Sequence, residues 1–351
     1  GNMTLVDLRQ AIQQHPRARA LLLMSPSNHG FAPDLDEMVE TAHQAGLKVI
    51  VDERYGAHFR FHKKLPISGI EAGADFVVQD WHRCLGALEQ GAVLHVREDP
   101  GERWGRIRNV FQTMTTTSPS YLVMASLDLA RHNAVIHGRE LLDHCIGLAR
   151  EIAGSIDRLK GLSVLGYEML RRSDVDNIDS TRLTISVTDC GLSGYRFAQL
   201  LEEEHDITVD GAEENNLILS VGFQLSEEDA YRLIDAMEAV VEAYGRQAPL
   251  YVSVQRPYPV FSSKLVLAPR AAFFAPGRLV KISDSVGCIC SEIVSHHTSG
   301  MPLVFPGEEI TSEMVDYIIA EGARDATEFW RNDPTLQVLR VVDERRTILH
   351  R

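Results

Sequence analysis

No stretch of the sequence approaches the roughly 18 consecutive apolar residues that a membrane-spanning helix needs, so no membrane partner is expected. The opening Gly1-Asn2-Met3-Thr4 lacks the basic and apolar regions of a signal peptide. Cysteine is scarce: the five residues Cys84, Cys145, Cys190, Cys288 and Cys290 are scattered and odd in number. A disulfide framework is therefore excluded as the organising feature, and reduced thiols in a cytoplasm fit better. Positive charge is also short, with 35 Lys and Arg against 49 Asp and Glu, a net charge of −14. A field of that sign repels a phosphate backbone, so nucleic acid is not an expected partner. Low-complexity tracts and internal repeats are missing too, which excludes disordered and solenoid classes.

What is present is an ordinary globular composition, 44% hydrophobic and 24% charged, spread over 351 residues. That length exceeds one ordinary core and calls for two or three domains. Leu5, Leu8 and Ile12 repeat at helical spacing across residues 4–15. Ala18 to Met24 then forms a short apolar run that reads as a buried parallel strand. A helix over 34–45, a strand over 48–52, a short helix over 68–72 and strands over 75–79 and 92–96 follow. Alternation of this kind builds an α/β layer around a mainly parallel sheet. Ligands in such layers sit outside the carboxyl ends of the strands, which draws attention to Ser25–Gly30, Asp52–His58 and Gln79–Arg83.

Further along, a helical pattern over 131–160 leads out of that layer, and Arg182–Thr188 and Leu217–Val221 read as strands. The helix from Ser226 to Tyr244 opens with a capping box of Ser226 and Asp229. Pro249 to Pro259 forms a turn-rich linker, after which a strand over 278–282 and a helix over 311–330 make a third unit. The expected domains are therefore 1–130, 131–250 and 251–351.

Several segments in order resemble the ornithine/lysine/arginine decarboxylases, pyridoxal-phosphate (PLP) enzymes of fold type I, and in particular their shorter bacterial arginine-decarboxylase-like members. Asp52-Glu53-Arg54-Tyr55-Gly56-Ala57-His58-Phe59 resembles the family stretch DEAHGAHF. Gln79-Asp80-Trp81-His82-Arg83-Cys84-Leu85, continuing to Leu94-His95, resembles QSTHKTLPALTQ…LH. Thr116 to Arg131 resembles TTSPSYLLMASLDAAR, while Gly300-Met301-Pro302 and Pro306-Gly307-Glu308 resemble the family's GIP…PGE. The resemblance implies a fold type I large domain with a mainly parallel sheet, then an α+β small domain and a C-terminal domain. It also implies further strands and a phosphate-cradling Gly/Ser loop ahead of the segment with which this sequence begins. On that reading the large domain is incomplete, and another chain or an altered strand order covers its exposed edges.

PLP chemistry demands an amine for the Schiff base and a carboxylate against the pyridine nitrogen. It also demands hydroxyls for the phosphate and a small residue against the ring. By resemblance Asp52 is the pyridinium carboxylate, and His82 is retained beside the lysine position. That lysine position holds Arg83, whose permanently protonated guanidinium is too poor a nucleophile to condense with an aldehyde. Asp80 stands where the family has a phosphate-binding serine, and its charge opposes a dianion. Arg54 replaces the alanine against the ring, and Tyr55 replaces a histidine that meets the substrate–cofactor adduct. Arg83 is expected to pair with Asp80 or Asp52. Lys63 and Lys64 on a nearby loop are the alternative amines. His297-Thr298-Ser299 stands where the family has YPP. His58 with His62, His296 with His297, and Cys288 with Cys290 carry metal-ligand atoms, but no spacing completes a standard site.

Substitutions that each oppose PLP for a different reason, on an otherwise retained scaffold, point to a non-catalytic relative of the decarboxylases with no covalently bound cofactor. It would work by association, as a homodimer or higher homo-oligomer or with a full-length paralogue, or by binding a small anion through Arg54 and Arg83. One alternative is an active carboxy-lyase whose lysine comes from elsewhere or from another chain. Another is an anion- or metal-dependent activity in the altered pocket.

Overall fold

The computed structural model describes residues 2–97, 103–172, 174–245, 261, 263–296, 302–322, 329–330 and 337–343. By internal contacts the chain divides into two compact units, Gly1–Ser253 and Val254–Arg351.

The first unit starts with the helix Leu5–Gln14, where the Thr4 hydroxyl and the Asp7 carboxylate form a capping box. Ala20–Met24, Lys48–Asp52, Phe76–Asp80 and Ala92–Val96 follow as the four strands of one sheet, adjacent in that order. The first two pairings are parallel and the last is antiparallel. Val49, Val51, Val77 and Leu23 point to one face, where Leu8, Leu35, Met38 and Val39 from the two flanking helices complete the core. Burial of such side chains contributes roughly 1.5–3 kcal/mol each.

The Ala20–Met24 run differs from the expected fully buried strand. Its alternate residues Leu22 and Met24 are 68% and 46% exposed, and Val78 and Leu94 of the neighbouring strands are also exposed. Among the described residues, only one face of this sheet is covered. The run over 68–72 forms a single turn rather than a helix, ended by Gly73 at φ +78°. That left-handed backbone favours glycine and cannot continue a right-handed helix.

The helix expected over 131–160 begins earlier and spans Tyr121–Ile156, 36 residues, or roughly 54 Å. Ser120 caps its start, accepting from the Val123 N–H at 3.4 Å. Ala130 and Ala134 pack on Trp81 and Leu85, and Leu142 and Ile146 on Phe59 and Leu65. Its last turns join a second core with Ile185, Leu217, Phe197 and Met237. There the strands Ser163–Leu165, Arg182–Ser186, Asn216–Ser220 and Gly211–Ala212 form an antiparallel sheet in that order. The helix over Glu227–Val240 carries the expected Ser226–Asp229 capping box and ends in a π turn, Val241–Gly245.

In the second unit Gly277–Lys281 pairs antiparallel with Val338–Val342, and the helix Ser312–Gly322 packs Met314 and Ile318 into a core with Cys290 and Val341. The helix expected over 311–330 stops there, since Phe329–Trp330 is a strand paired with Val294–His296. Residues 249–259 and His297-Thr298-Ser299 lie outside the described residues. Among the described residues, no helix is long and apolar enough to cross a membrane.

Candidate active site

Parallel register places Met24 beside Asp52 and Asp52 beside Val78, so the strands' carboxyl ends open onto one edge. From there the chain leaves the sheet twice, through Glu53–His58 and through the short helix Trp81–Cys84. Gly56 permits the first turn because a Cβ there would lie 2.8 Å from both Glu53 and Phe59. These exits carry Arg54, Tyr55, His82 and Arg83, and the strand ends just before them carry Asp52 and Asp80, which accounts for the six residues that sequence reasoning singled out.

Arg54 fastens Asp52. Its Nε lies 3.1 Å from both carboxylate oxygens, and its Nη2 donates to Oδ2 as well. Charge-assisted bidentate pairs are the strong members of their class. The carboxylate that would hold a pyridinium is therefore already committed to a guanidinium. Arg83 is exposed and pairs with Asp80, Nε to Oδ2 at 3.4 Å, as one of the two expected pairings has it. Its guanidinium carbon also sits 5.3 Å from the Tyr55 ring centroid. Arg182 approaches the same ring to 4.1 Å. His82 is half-buried with Nδ1 buried and unbonded.

Of the six residues, Tyr55 and Arg83 line a small pocket shared with His58, Cys84, Asp179 and Arg182, while Asp52, Arg54, Asp80 and His82 do not. Its volume is about 20 Å³. A cavity needs roughly 10–15 Å³ to admit one water, so this space suits a water-sized molecule and not a pyridine ring. The chain has six lysines, and none lines the pocket. Lys48 is paired with Asp75 at 2.6 Å and Lys64 with Asp143 at 3.1 Å. The residues present do not fit covalent PLP: the amine is absent and the pyridinium carboxylate is occupied.

Sequence reasoning missed the residues that organise this pocket. His58 is buried and bonded through Nε2 to Asp179 Oδ2 at 3.2 Å and Thr181 Oγ1 at 3.1 Å. Asp179 also accepts from the Thr181 N–H and hydroxyl at 2.9 and 2.6 Å. Burial alone would lower the His58 pKa, but the Asp179 charge and hydrogen bond, with help from the Cys84 thiol, raise it to about 10. Burial likewise opposes the Asp179 charge, and the His58 charge overrides it to keep the carboxyl below its ordinary range. Only a conspicuous His in the Gly56-Ala57-His58-Phe59 run hinted at this pair. His62 pairs separately with Asp143 at 3.2 Å, so His58 and His62 do not converge on a metal. Among the described residues no group of three or more His, Cys, Asp or Glu could hold a metal ion, and His297 lies outside them.

Glu53 is the other missed group. Fully buried, it accepts from the Gly69 N–H at 2.6 Å and the Gln79 amide at 3.3 Å. Burial pushes its pKa up to about 8 against those hydrogen bonds and the His58 charge. The folded chain therefore holds a proton here that the unfolded chain releases near 4.5. The resulting stability is complete below pH 4.5 and is lost as pH rises through about 8. At pH 7 the loss is on the order of 3 kcal/mol. Glu53→Gln removes the ionisation and leaves one poorly matched amide contact that costs about 1 kcal/mol. Urea unfolding should show the variant gaining about 2 kcal/mol at pH 7 and losing the decline between pH 5 and 8.

The mainly parallel sheet followed by an antiparallel layer defines the class of this protein: it has the fold of PLP fold type I enzymes. Constitutive lysine decarboxylase of Escherichia coli superposes with a TM-score of 0.71 at 16% identity, over 97% of this chain and 61% of that one. Alanine–glyoxylate aminotransferase of Nostoc sp. does so at 0.52 and 18%, over 68% of this chain and 66% of that one. The Orn/Lys/Arg decarboxylase major domain matches residues 2–228. Arginine decarboxylase of Bacillus subtilis (strain 168) is 32% identical over 346 residues, 99% of this chain and 70% of the relative. The chain belongs to the Orn/Lys/Arg decarboxylase family. It spans about 70% of the length of that relative and about 61% of the solved lysine decarboxylase.

Proposed function

We propose that this chain is a family member that does not carry out Schiff-base decarboxylation and that works by association. The observation that carries the reading is Arg83, a guanidinium at the position that resembles the family's lysine, on a chain whose six lysines all lie away from the pocket. A guanidinium stays protonated and delocalised, so it offers no free amine to an aldehyde. Arg54 supports the same reading by occupying Asp52. Roles for Asp52, Arg54, Tyr55, Asp80, His82 and Arg83 at a cofactor site are thus ancestral, and the three-part division at 130 and 250 follows the family's organisation.

The test is carbon dioxide release from arginine, ornithine and lysine with added PLP. No release above buffer is expected for any of them. Release from one would overturn the reading and favour the alternative, a carboxy-lyase whose lysine comes from elsewhere or from another chain.

Association is supported by surface chemistry. Leu122, Leu129 and Ile136 are 75%, 68% and 59% exposed at seven-residue spacing on the long helix. Phe111 and Met114 are exposed on the preceding helix, and Leu22 and Met24 on the open sheet face. Exposed apolar side chains repeated along one helix and one sheet face support an interaction surface. A second copy of this chain, or a full-length paralogue, is the proposed occupant. Leu122→Asp with Leu129→Asp should move the protein to monomer in sedimentation or light scattering, with a charge on each stripe position costing several kcal/mol of association. Free thiols at all five cysteines suit a reducing cytoplasm. Of the two arginines expected to bind a small anion, Arg54 is committed to Asp52 and Arg83 remains exposed.

A further inference from the structure

We propose that the antiparallel layer of the first unit carries a binding site for a small amphipathic cation, an ammonium on a body of one ring or a short alkyl chain. The site is a cavity of about 250 Å³ bordered by the strands Arg182–Ser186 and Asn216–Ser220, the helix Glu227–Val240 and the segment 206–210. None of Asp52, Arg54, Tyr55, Asp80, His82 and Arg83 lines it, although it shares Ser220 and Val221 with the smaller pocket. The inference goes beyond the reading above and does not depend on it.

Local structure explains why the space exists. Asp206 takes the left-handed backbone at φ 54°, and the Ile207 N–H returns to the Leu201 carbonyl at 3.0 Å, which ends the helix Gly194–His205. The chain then runs to the two-residue strand Gly211–Ala212, which pairs with Leu217 and Ile218 alone. Leu219, Ser220 and Val221 continue past that strand, and the helix Glu227–Val240 borders the same space through Asp229, Arg232 and Leu233.

The floor is apolar and the rim is acidic. Ile152, Leu183, Leu219 and Val221 form the buried floor, and an apolar body placed on them leaves water for aliphatic contact. Asp206, Asp210 and Asp229 stand exposed at the rim, against one guanidinium, Arg232. Arg232 is committed to the backbone, its Nη2 donating to the His205 and Asp206 carbonyls at 2.6 and 3.3 Å. Asp229 accepts at Oδ2 from the Ser226 N–H and hydroxyl, at 3.1 and 2.6 Å. Asp210 meets Arg182 only at 3.8 Å, while Arg182 bonds more closely to Asn28 and Ser220. Among the described residues the Asp206 carboxylate has no partner. The excess of negative charge selects a cation and repels a carboxylate or phosphate. Benzene fits a hollow of roughly 150 Å³, and drug-sized ligands take roughly 300 to 1,000 Å³. The cavity falls between the two, so one ring or short chain with its head group fits and a nucleotide does not.

The experiment titrates the full chain by calorimetry with phenethylamine, phenethyl alcohol and hydrocinnamate, which share the ring and differ in head-group charge. Phenethylamine is expected to bind saturably, at least about fivefold tighter than the alcohol and at least about tenfold tighter than the carboxylate at low salt. Added salt should narrow the margin, because exposed charges are screened. Asp206→Asn with Asp210→Asn should bring the amine down to the alcohol's affinity and leave the alcohol unchanged. Asparagine tolerates the left-handed backbone at 206, so that change keeps the helix end. Ile207→Trp, which fills the cavity from its half-buried edge, should abolish binding of both. The three-ligand comparison on the unaltered chain stands whether or not a variant folds. No saturable binding of the amine, equal affinity for amine and alcohol, or an amine affinity that the folded double variant retains would each overturn the proposal.

Discussion

Arg83→Lys alone should leave the protein without a PLP adduct, whereas Arg83→Lys combined with Arg54→Ala and Asp80→Ser should gain one. The single change supplies an amine, but two obstacles remain. Arg54 still holds Asp52 through both carboxylate oxygens, so no carboxylate is free to face the pyridine nitrogen. Asp80, where the family has a serine, still places a negative charge toward the phosphate. Unit charges at about 4 Å and an effective dielectric near 20 repel by about 4 kcal/mol, roughly a thousandfold in affinity. Removing both obstacles frees Asp52 and takes away the opposing charge. Borohydride reduction and peptide mass spectrometry at position 83 report the outcome. An adduct with the single variant would show that Arg54 and Asp80 do not oppose the cofactor.

Asp179→Asn should destabilise the protein by about 3–5 kcal/mol at pH 7, because it strips a buried cation of its counter-charge. The affected residue is His58, whose Nε2 bonds to Asp179 and Thr181. In the intact protein the raised His58 pKa contributes stability that is complete below pH 6.5 and lost as pH rises through about 10. The variant should lose that alkaline decline along with the stability. Denaturant unfolding across pH 6 to 10 measures both. A variant within about 0.5 kcal/mol of the parent, with the slope intact, would mean that the pair contributes little.

Elements set by local pattern were legible in the sequence. The strands over 48–52 and 92–96, and the capping box at Ser226, needed only periodicity and end chemistry. The open face of Ala20–Met24 was not legible, because an apolar run looks alike whether one face or both are covered. The false helix over 68–72 failed on Gly73, whose positive φ ends a single turn. Phe329–Trp330, read as helix, pairs as a strand with Val294–His296 through contacts distant in sequence.

The candidate site divides in the same way. Contiguous motifs brought out Asp52, Arg54, Tyr55, Asp80 and Arg83, and left Asp80 and Asp52 as alternative partners for Arg83, of which the structure has Asp80. His58, Asp179 and Arg182 were missed because their association is tertiary: a loop after one sheet meets the entry to another. Glu53 lay in plain view between Asp52 and Arg54, but its significance is its burial, which no neighbour in sequence reveals.

The most direct measurement is to incubate the full chain with PLP, reduce with borohydride, and map every lysine by mass spectrometry. The account predicts unmodified peptides throughout, with no pyridoxyl group beyond the background of a denatured control. A pyridoxyl group at stoichiometric level on any one lysine would contradict it.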